Sequence, residues 1–224
     1  MNLKAPFAVL FFVMTALVAC QKDDLPPNIS ANVAQLSIIN LTGDQLNFFQ
    51  NGNRLNQEST IYPLGATDYF EVFAGELAFQ FKRNGSSDVL FNVNLNLDSL
   101  GSYSLFTVNQ NSEDFILASD DDISIDTGNV SMIRFINASP ETDNFDVLLN
   151  DTLAFGSRAY KSVSDFVAVK AGEDRVLKIS RSGTANALVT DTIELARGRA
   201  YTIFSKGLIG QGGNAAFGSG IILN

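Results

Sequence analysis

Hydrophobic and polar residues alternate in short runs over most of the chain beyond residue 32. Alternation with a period of two is typical of β-strands that bury one face. The run from Leu46 to Phe48 is followed by Asn51-Gly52, a pair that favours the tight turn of a β-hairpin. Four further runs of this kind follow, separated by turn residues: 69–73, 77–81, 89–97 and 103–108. Since no stretch between them has a helical period, the pattern predicts an all-β protein.

The order of these runs returns in the second half of the chain. Several local landmarks recur at an offset of 97 residues, and one recurs at 98. The pairs are Asn40 with Asn137, Tyr69 with Phe166, Gly75 with Gly172, Gly101 with Gly198 and, at the longer offset, Gly85 with Gly183. An offset held over five landmarks indicates a tandem repeat of one unit.

Short strands at this spacing are typical of sandwiches, whose paired sheets leave few strand edges exposed. We therefore expect two tandem antiparallel β-sandwich domains, Ig-like or transthyretin-like. A glycine-rich segment before the terminal apolar run predicts a last strand that closes the second domain. The predicted divisions are a signal peptide at 1–19, a lipidated tether at 20–32, repeat 1 at 33–109, an acidic linker at 110–129 and repeat 2 with its C-terminal strand at 130–224.

The first twenty residues predict secretion and lipid anchoring. Lys4 precedes an apolar run at 6–19, which is too short to span a bilayer and is typical of a signal peptide. The run leads into a Leu-Val-Ala-Cys sequence ending at Cys20, which resembles the bacterial lipobox. The resemblance implies that Cys20, the only cysteine, becomes the first mature residue and carries the acyl chains that hold the protein on a membrane. A buried or reactive cysteine after an ordinary signal peptide is the alternative.

The residues after this cysteine carry a second resemblance. Gln21, Lys22, Asp23 and Asp24 are similar to the short acidic export signal of surface-exposed lipoproteins in Bacteroidota-type Gram-negative bacteria. This similarity implies a place on the outer face of the outer membrane. The alternative is that the four residues are only a solvated part of the tether, which two prolines extend.

Composition then removes several classes of function. The chain has no histidine, one cysteine, and 15 basic against 24 acidic residues, for a net charge of −9. Without histidine, the usual general base, the usual metal ligand and the Ser-His-Asp and Cys-His arrangements are excluded. An acidic chain also does not suit nucleic acid, whose phosphates need Lys and Arg. We therefore expect a protein that is not an enzyme, with no cofactor, no resident metal and no nucleic-acid partner.

The predicted linker leaves one metal hypothesis open. Its acidic stretch, 113–126, includes three consecutive aspartates from Asp120, and their oxygens could hold calcium between the domains. The stretch does not spell an Asp-x-Asp-x-Asp-Gly loop, and acidic runs are commonly solvated. Apolar side chains in the same linker could instead pack it between the domains: Phe115, Ile116, Leu117, Ile123 and Ile125.

Charge and aromatic residues bear on the ligand. Residues 20–129 hold four basic and fifteen acidic side chains, a net charge of −11, whereas residues 130–224 hold ten basic and nine acidic ones, a net charge of +1. The mixed charge of the second half could attract an acidic partner or glycan, or could only keep it soluble. The chain has no tryptophan. Tyr62, Tyr69 and Tyr160 remain candidates for stacking on a sugar, with a place in the core as the alternative.

The second repeat resembles a known family. A strand ends in an Asn-Ala-Ser-Pro sequence at 137–140, an Asp-Val strand follows at 146–147, and Tyr160 precedes a Val-Lys-Ala-Gly sequence at 169–172. This arrangement is similar to the domain of unknown function 4397 over residues 130–207. The first repeat departs from it at 41–44, which implies a diverged copy. The resemblance implies a secreted or envelope β-sandwich module and no reaction.

The expected function is therefore that of a binding or scaffolding module in a non-enzymatic, surface-exposed outer-membrane lipoprotein. The expected partners are the membrane, through the lipid anchor, and a protein or glycan ligand. Two alternatives remain at this point. One is a glycan-binding or adhesion protein, and the other is an accessory subunit of an outer-membrane complex.

Overall fold

The computed structural model describes residues 32–56, 59–108, 115–120, 123 and 128–224. These residues form sixteen β-strands and one short 3-10 turn at Gly213–Ala215, and within them no helix has the length and apolarity needed to cross a bilayer. We call residues 33–120 module 1 and residues 130–224 module 2. The strands of module 1 are β1 (Val33–Asn40), β2 (Leu46–Gln50), β3 (Asn53–Arg54), β4 (Phe70–Phe73), β5 (Gly75–Arg83), β6 (Val89–Leu97), β7 (Ser102–Thr107) and β8 (Phe115–Ser119). Those of module 2 are β9 (Val130–Asn137), β10 (Phe145–Leu149), β11 (Thr152–Arg158), β12 (Val167–Lys170), β13 (Gly172–Arg181), β14 (Ala187–Leu195), β15 (Ala200–Lys206) and β16 (Gly218–Leu223).

Each module is a sandwich of two four-stranded sheets. The inner sheets have the orders β4-β1-β7-β8 and β12-β9-β15-β16, and the outer sheets have the orders β3-β2-β5-β6 and β11-β10-β13-β14. The prediction of two tandem all-β sandwiches is confirmed. The central pair of each inner sheet, β1 with β7 and β9 with β15, is parallel, whereas the other pairs are antiparallel.

Alternating apolar side chains fill the space between the two sheets of each module. In module 1 the ring of Phe48 lies at the centre, with ring centroids 4.7 Å from Phe79 and 4.9 Å from Phe81. In module 2 the corresponding cluster includes Phe135 and Phe145. Burial of such side chains contributes about 1.5–3 kcal/mol each, so each module has a sufficient core of its own.

The predicted hairpin at Asn51-Gly52 is confirmed. The two residues connect β2 to β3 with φ angles of 50° and 79°, as a type I′ turn requires. Module 2 places Asn150 and Asp151 between β10 and β11 with φ angles of 49° and 62°. Asparagine and aspartate tolerate this conformation better than most residues, which explains why the second turn needs no glycine.

The repeat landmark Asn40 and Asn137 is structural. Both asparagines are fully buried at the ends of equivalent strands. The side-chain oxygen of Asn137 accepts hydrogen bonds from the Ser139 N–H (3.1 Å) and the Ser205 hydroxyl (2.8 Å). The oxygen of Asn40 accepts a hydrogen bond from the Thr42 N–H (2.9 Å). Each asparagine therefore fixes the turn that follows its strand.

The predicted equivalence of Gly101 and Gly198 in the two repeats is wrong. Leu100, with φ of 65°, is the counterpart of Gly198, with φ of 66°. The N–H of Leu100 donates to Val33 O (2.7 Å), and that of Gly198 donates to Val130 O (2.9 Å). The offset at this turn is therefore 98, and a leucine adopts a conformation that favours glycine.

The structure differs from the predicted linker at 110–129, because β8 lies within it and pairs with β7. The two faces of β8 are both apolar. Phe115 and Leu117 pack against the module 1 core, whereas Ile116 and Ala118 are buried on the opposite face. Ile125 lies outside the described residues. At the end of the chain, β16 pairs with β15 in the same way that β8 pairs with β7.

The inner sheets of the two modules face each other. A third apolar cluster contains residues of β1, β7 and β8 from module 1 together with residues of β9 and β15 from module 2. Its buried members are Ile39, Leu41, Phe106, Val108, Ile116, Ala118, Ile136, Ala138 and Phe204. The protein is therefore a stack of four sheets with three apolar layers between them.

Candidate functional site

Equivalent positions of the two modules contact each other across the interface. Phe106 and Phe204 occupy the same place on β7 and β15, and their ring centroids lie 5.9 Å apart in an edge-to-face arrangement. Asp120 and Asn224 follow the last strand of each module, and Asn224 Nδ2 donates to Asp120 Oδ1 (3.1 Å). Contacts between equivalent positions are typical of an isologous interface, which an approximate two-fold relation between the modules produces.

A buried ion pair lies in this interface. The side chains of Arg134 on β9 and Asp120 after β8 are only 2% and 3% exposed, and Arg134 Nη2 donates to Asp120 Oδ1. Arg134 Nη1 donates to Ser119 O (2.7 Å), and Nε donates to Thr202 Oγ1 (2.8 Å). The guanidinium carbon also lies 4.8 Å from the ring centroid of Phe166. All three nitrogens of the guanidinium group are therefore hydrogen-bonded, as burial of a charge requires.

The other oxygen of Asp120 is bound by module 1. Its Oδ2 accepts hydrogen bonds from the Tyr69 hydroxyl and from the Ser104 hydroxyl, both at 2.7 Å. Thr202 Oγ1 donates in turn to Asn224 Oδ1 (2.7 Å). We call these six residues, Tyr69, Ser104, Asp120, Arg134, Thr202 and Asn224, the Asp120 network. The network joins both inner sheets, and so it specifies one arrangement of the modules.

Three differences between the repeats create this network, and the first is Asp120 itself, which stands where module 2 has Asn224. Arg134 stands where module 1 has Ser37, whose hydroxyl donates to Thr67 O (2.8 Å). Tyr69 stands where module 2 has Phe166. In the sequence, the signal for this network is Arg134, a charged residue between the apolar pairs 132–133 and 135–136 of β9.

Burial and the hydrogen bond to the Asp120 carboxylate raise the pKa of Tyr69 to about 12 from its ordinary value of 10.0. Because the folded-state pKa lies above that of the unfolded chain, the contribution to stability is present below pH 10 and is lost as the pH rises toward 12. The free energy of unfolding of the wild type should therefore fall between pH 10 and 12, and we expect this fall to be smaller in Tyr69→Phe. Denaturant titrations at several pH values in this range measure the free energy of unfolding of both proteins. A Tyr62→Phe control that also flattens the fall would contradict this assignment.

A cleft of about 550 Å³ opens on module 1, between the ends of β3 and β4. We call it the module 1 cleft, and its lining residues are Leu55, Asn56, Ser59, Thr60, Ile61, Tyr62, Gly65, Ala66, Thr67, Asp68, Tyr69 and Phe70. Its volume is within the range of small-molecule sites. Two of the three tyrosines named as sugar-stacking candidates, Tyr62 and Tyr69, thus line the same cleft.

The cleft arises from a difference between the repeats. Leu46 pairs with Ile61 as Phe145 pairs with Arg158. Six residues separate the end of β3 at Arg54 from Ile61, whereas β11 continues as a strand to Arg158. In module 1 the side chain of Asn56 takes the place of strand pairing at this edge, because its Oδ1 accepts a hydrogen bond from the Phe48 N–H (2.8 Å) and its Nδ2 donates to Ser59 O (2.9 Å). The cleft lies beside this side chain.

Tyr62 is held on a fixed turn. The Gly65 N–H donates to Tyr62 O (2.8 Å), Pro63 restricts the first central φ, and Leu64 has φ of 63°. The Leu64 N–H donates to Asn40 O (2.7 Å), which ties the turn to β1. Tyr62 is 57% exposed, so this hydrogen-bonded turn presents it to solvent.

The remaining predicted residues lie elsewhere. Cys20 and the export signal Gln21, Lys22, Asp23 and Asp24 lie outside the described residues, as do all the acidic residues of the stretch 113–126 except Asp120. Tyr160, the third stacking candidate, packs at the interface of the modules. Several of the cations of module 2 are paired, including Lys178 with Asp151 (2.5 Å). The described part of the chain holds no group of three or more Cys, Asp or Glu side chains arranged for a metal ion.

Comparisons with known proteins agree with the second repeat. Residues 131–213 match the family model described as domain of unknown function (DUF4397). A search of curated proteins gave no match. Among solved structures, the Bacillus anthracis TIE protein is similar at 10% identity with a TM-score of 0.25, over 78% of this chain and 34% of that one, so the chain spans about a third of its length. The second module, over residues 131–213, therefore matches the DUF4397 family model.

Proposed function

We propose that this protein is a non-enzymatic lipoprotein, anchored in the outer membrane through Cys20 and displayed on the cell surface, where its modules work as a binding or scaffolding unit. The observation that carries the proposal is the single cysteine directly after the predicted signal peptide, ahead of a tandem of β-sandwiches. Two or three acyl chains, at about 0.8 kcal/mol for each buried methylene, would anchor it stably.

The packing of the modules supports the scaffolding part of this proposal. An apolar layer and the buried Asp120 network join the inner sheets, so the two modules present their surfaces in one fixed relation. The thirteen residues from Cys20 to Val33 reach at most about 45 Å when extended. That length allows the folded part to stand clear of the membrane surface.

Protease treatment of intact cells tests the location. We expect digestion of the wild-type protein and protection of an Asp23→Ala/Asp24→Ala variant, because the acidic residues after Cys20 would direct export. A Glu71→Ala/Glu76→Ala variant makes the same change in charge on exposed residues of module 1, and it should be digested like the wild type. The Cys20→Ala variant cannot be acylated at this position, and so it should no longer be found in the membrane fraction. Protection of the wild type would contradict surface display.

Glycan capture is a second candidate, and the module 1 cleft with its two tyrosines favours it. An accessory subunit of an outer-membrane complex is the other alternative. Crosslinking in cells separates the two, because a subunit yields a stable larger species whereas recovery of only the monomer contradicts that alternative.

A further inference from the structure

We propose that the module 1 cleft is a binding site for a neutral oligosaccharide. This inference rests on the proposed binding function and gives it a place and a class of ligand. The fold itself does not need the cleft, since module 2 builds the same sandwich with a continuous, bulged β11 at the equivalent position. Module 2 also has Ala159 where module 1 has the exposed Tyr62.

The backbone that carries Tyr62 and the ring of Tyr69 are both held by hydrogen bonds within module 1. Tyr62 stands on the turn that Pro63 and Leu64 form, and Tyr69 is held by its hydroxyl, which donates to Asp120 (2.7 Å). A ring whose position is already fixed loses little conformational freedom on binding, so more of the contact free energy appears as affinity. The Asp120 network therefore also acts as a positioning element for the cleft.

The chemistry of the lining suits a sugar. An oligosaccharide has apolar C–H faces bordered by hydroxyl groups, and the cleft combines two tyrosine rings with polar groups at its margins. Ser59 and Asp68 are exposed there. A carboxylate accepts strong charge-assisted hydrogen bonds from hydroxyl groups, so Asp68 would orient the ring that stacks on Tyr62.

The charge of the cleft selects against anionic glycans. Asp68 is the one charged side chain among the lining residues that the structure describes. The half of the sequence that contains module 1, residues 20–129, has a net charge of −11. Sialylated or sulfated saccharides would meet repulsion at this site, whereas neutral ones would not.

Binding of the purified full-length protein to an array of neutral, sialylated and sulfated oligosaccharides is the test, followed by calorimetric titration of the best neutral one. We expect Tyr62→Ala to weaken binding about tenfold or more, as the loss of an aromatic anchor does. Phe73→Ala is the matched control, because Phe73 is an equally exposed aromatic residue of module 1, also at 57%, that does not line the cleft. The Phe73→Ala variant should bind the same oligosaccharide with the affinity of the wild type.

Three results would overturn the inference. Binding to no neutral oligosaccharide rejects the ligand class, and stronger binding to anionic saccharides rejects the charge argument. Wild-type affinity in Tyr62→Ala rejects the site. None of these results changes the outcome of the protease experiment, so the proposed surface function and this inference fail separately.

Discussion

Arg134→Met is expected to lower the free energy of unfolding by about 3–5 kcal/mol, because it leaves the carboxylate of Asp120 buried without its cation. Asp120 would keep its hydrogen bonds to Tyr69, Ser104 and Asn224, but these neutral donors do not replace a full positive charge. Methionine retains most of the volume of the arginine stem, so the loss reports the charge rather than a large cavity. Equilibrium unfolding in urea measures the difference.

Two further variants make this result specific. Arg83→Met removes an exposed ion pair with Asp44 and should change the stability by less than about 1 kcal/mol. Combining Arg134→Met with Asp120→Leu removes both buried charges and should recover part of the loss. If Arg134→Met is as stable as Arg83→Met, the buried ion pair does not stabilise the packing of the two modules.

Phe204→Ala is expected to lower the free energy of unfolding by about 3–5 kcal/mol and to weaken the coupling between the modules. Phe204 is buried between the inner sheets, with its ring against that of Phe106. A side chain added at Gly220 would lie 2.3 Å from the ring, so the space around it is filled closely. Truncation therefore leaves a cavity in a layer that both modules share.

Calorimetry separates this effect from a loss within one module. Because the interface is shared, the wild type should unfold in one cooperative transition, whereas Phe204→Ala should show two transitions as the modules separate. Leu153→Ala, at an exposed position of the outer sheet, should stay within about 0.5 kcal/mol of the wild type. A single transition at the wild-type temperature in Phe204→Ala would mean that the interface adds little.

The interface and the module 1 cleft are connected through one residue. Tyr69 contributes its ring to the cleft and its hydroxyl to the Asp120 network. A ligand that stacks in the cleft would therefore contact a residue that the second module helps to position. Under the proposed binding function, module 2 would support the cleft of module 1 indirectly, because Arg134 holds the Asp120 carboxylate to which Tyr69 donates.

Much of the fold follows from the sequence because its causes are local. Alternation at positions such as 46–50 and 89–97 predicts strands, since only a period of two puts every apolar side chain on one face. Asn51-Gly52 predicts its hairpin because few other pairs accept two positive φ angles. The repeat is visible because both modules need the same buried asparagine at the end of β1 and β9.

The sites depended on residues far apart in the chain. The sequence predicts a solvated acidic linker around Asp120, but β8 brings this carboxylate beneath Arg134 and Tyr69, 14 and 51 residues away. A five-residue strand with two apolar faces reads as neither clear alternation nor a helix, and so β8 was not recognised. The module 1 cleft depends on where β3 ends relative to β11, which only the pairing of both outer sheets reveals.

The sequence by itself therefore determined the strands, the turns, the repeat and the candidate tyrosines, because propensity, periodicity and turn chemistry act between near neighbours. Only the tertiary structure decided which sheet faces which, how Arg134 is neutralised and where Tyr62 and Tyr69 meet. The physical reason is that apolar burial has no preferred direction. An inner sheet with two apolar faces can therefore pack against any other apolar surface, and its sequence does not show which one. Directional hydrogen bonds such as those of Asp120 select one arrangement, and they form only after the chain has brought distant residues together.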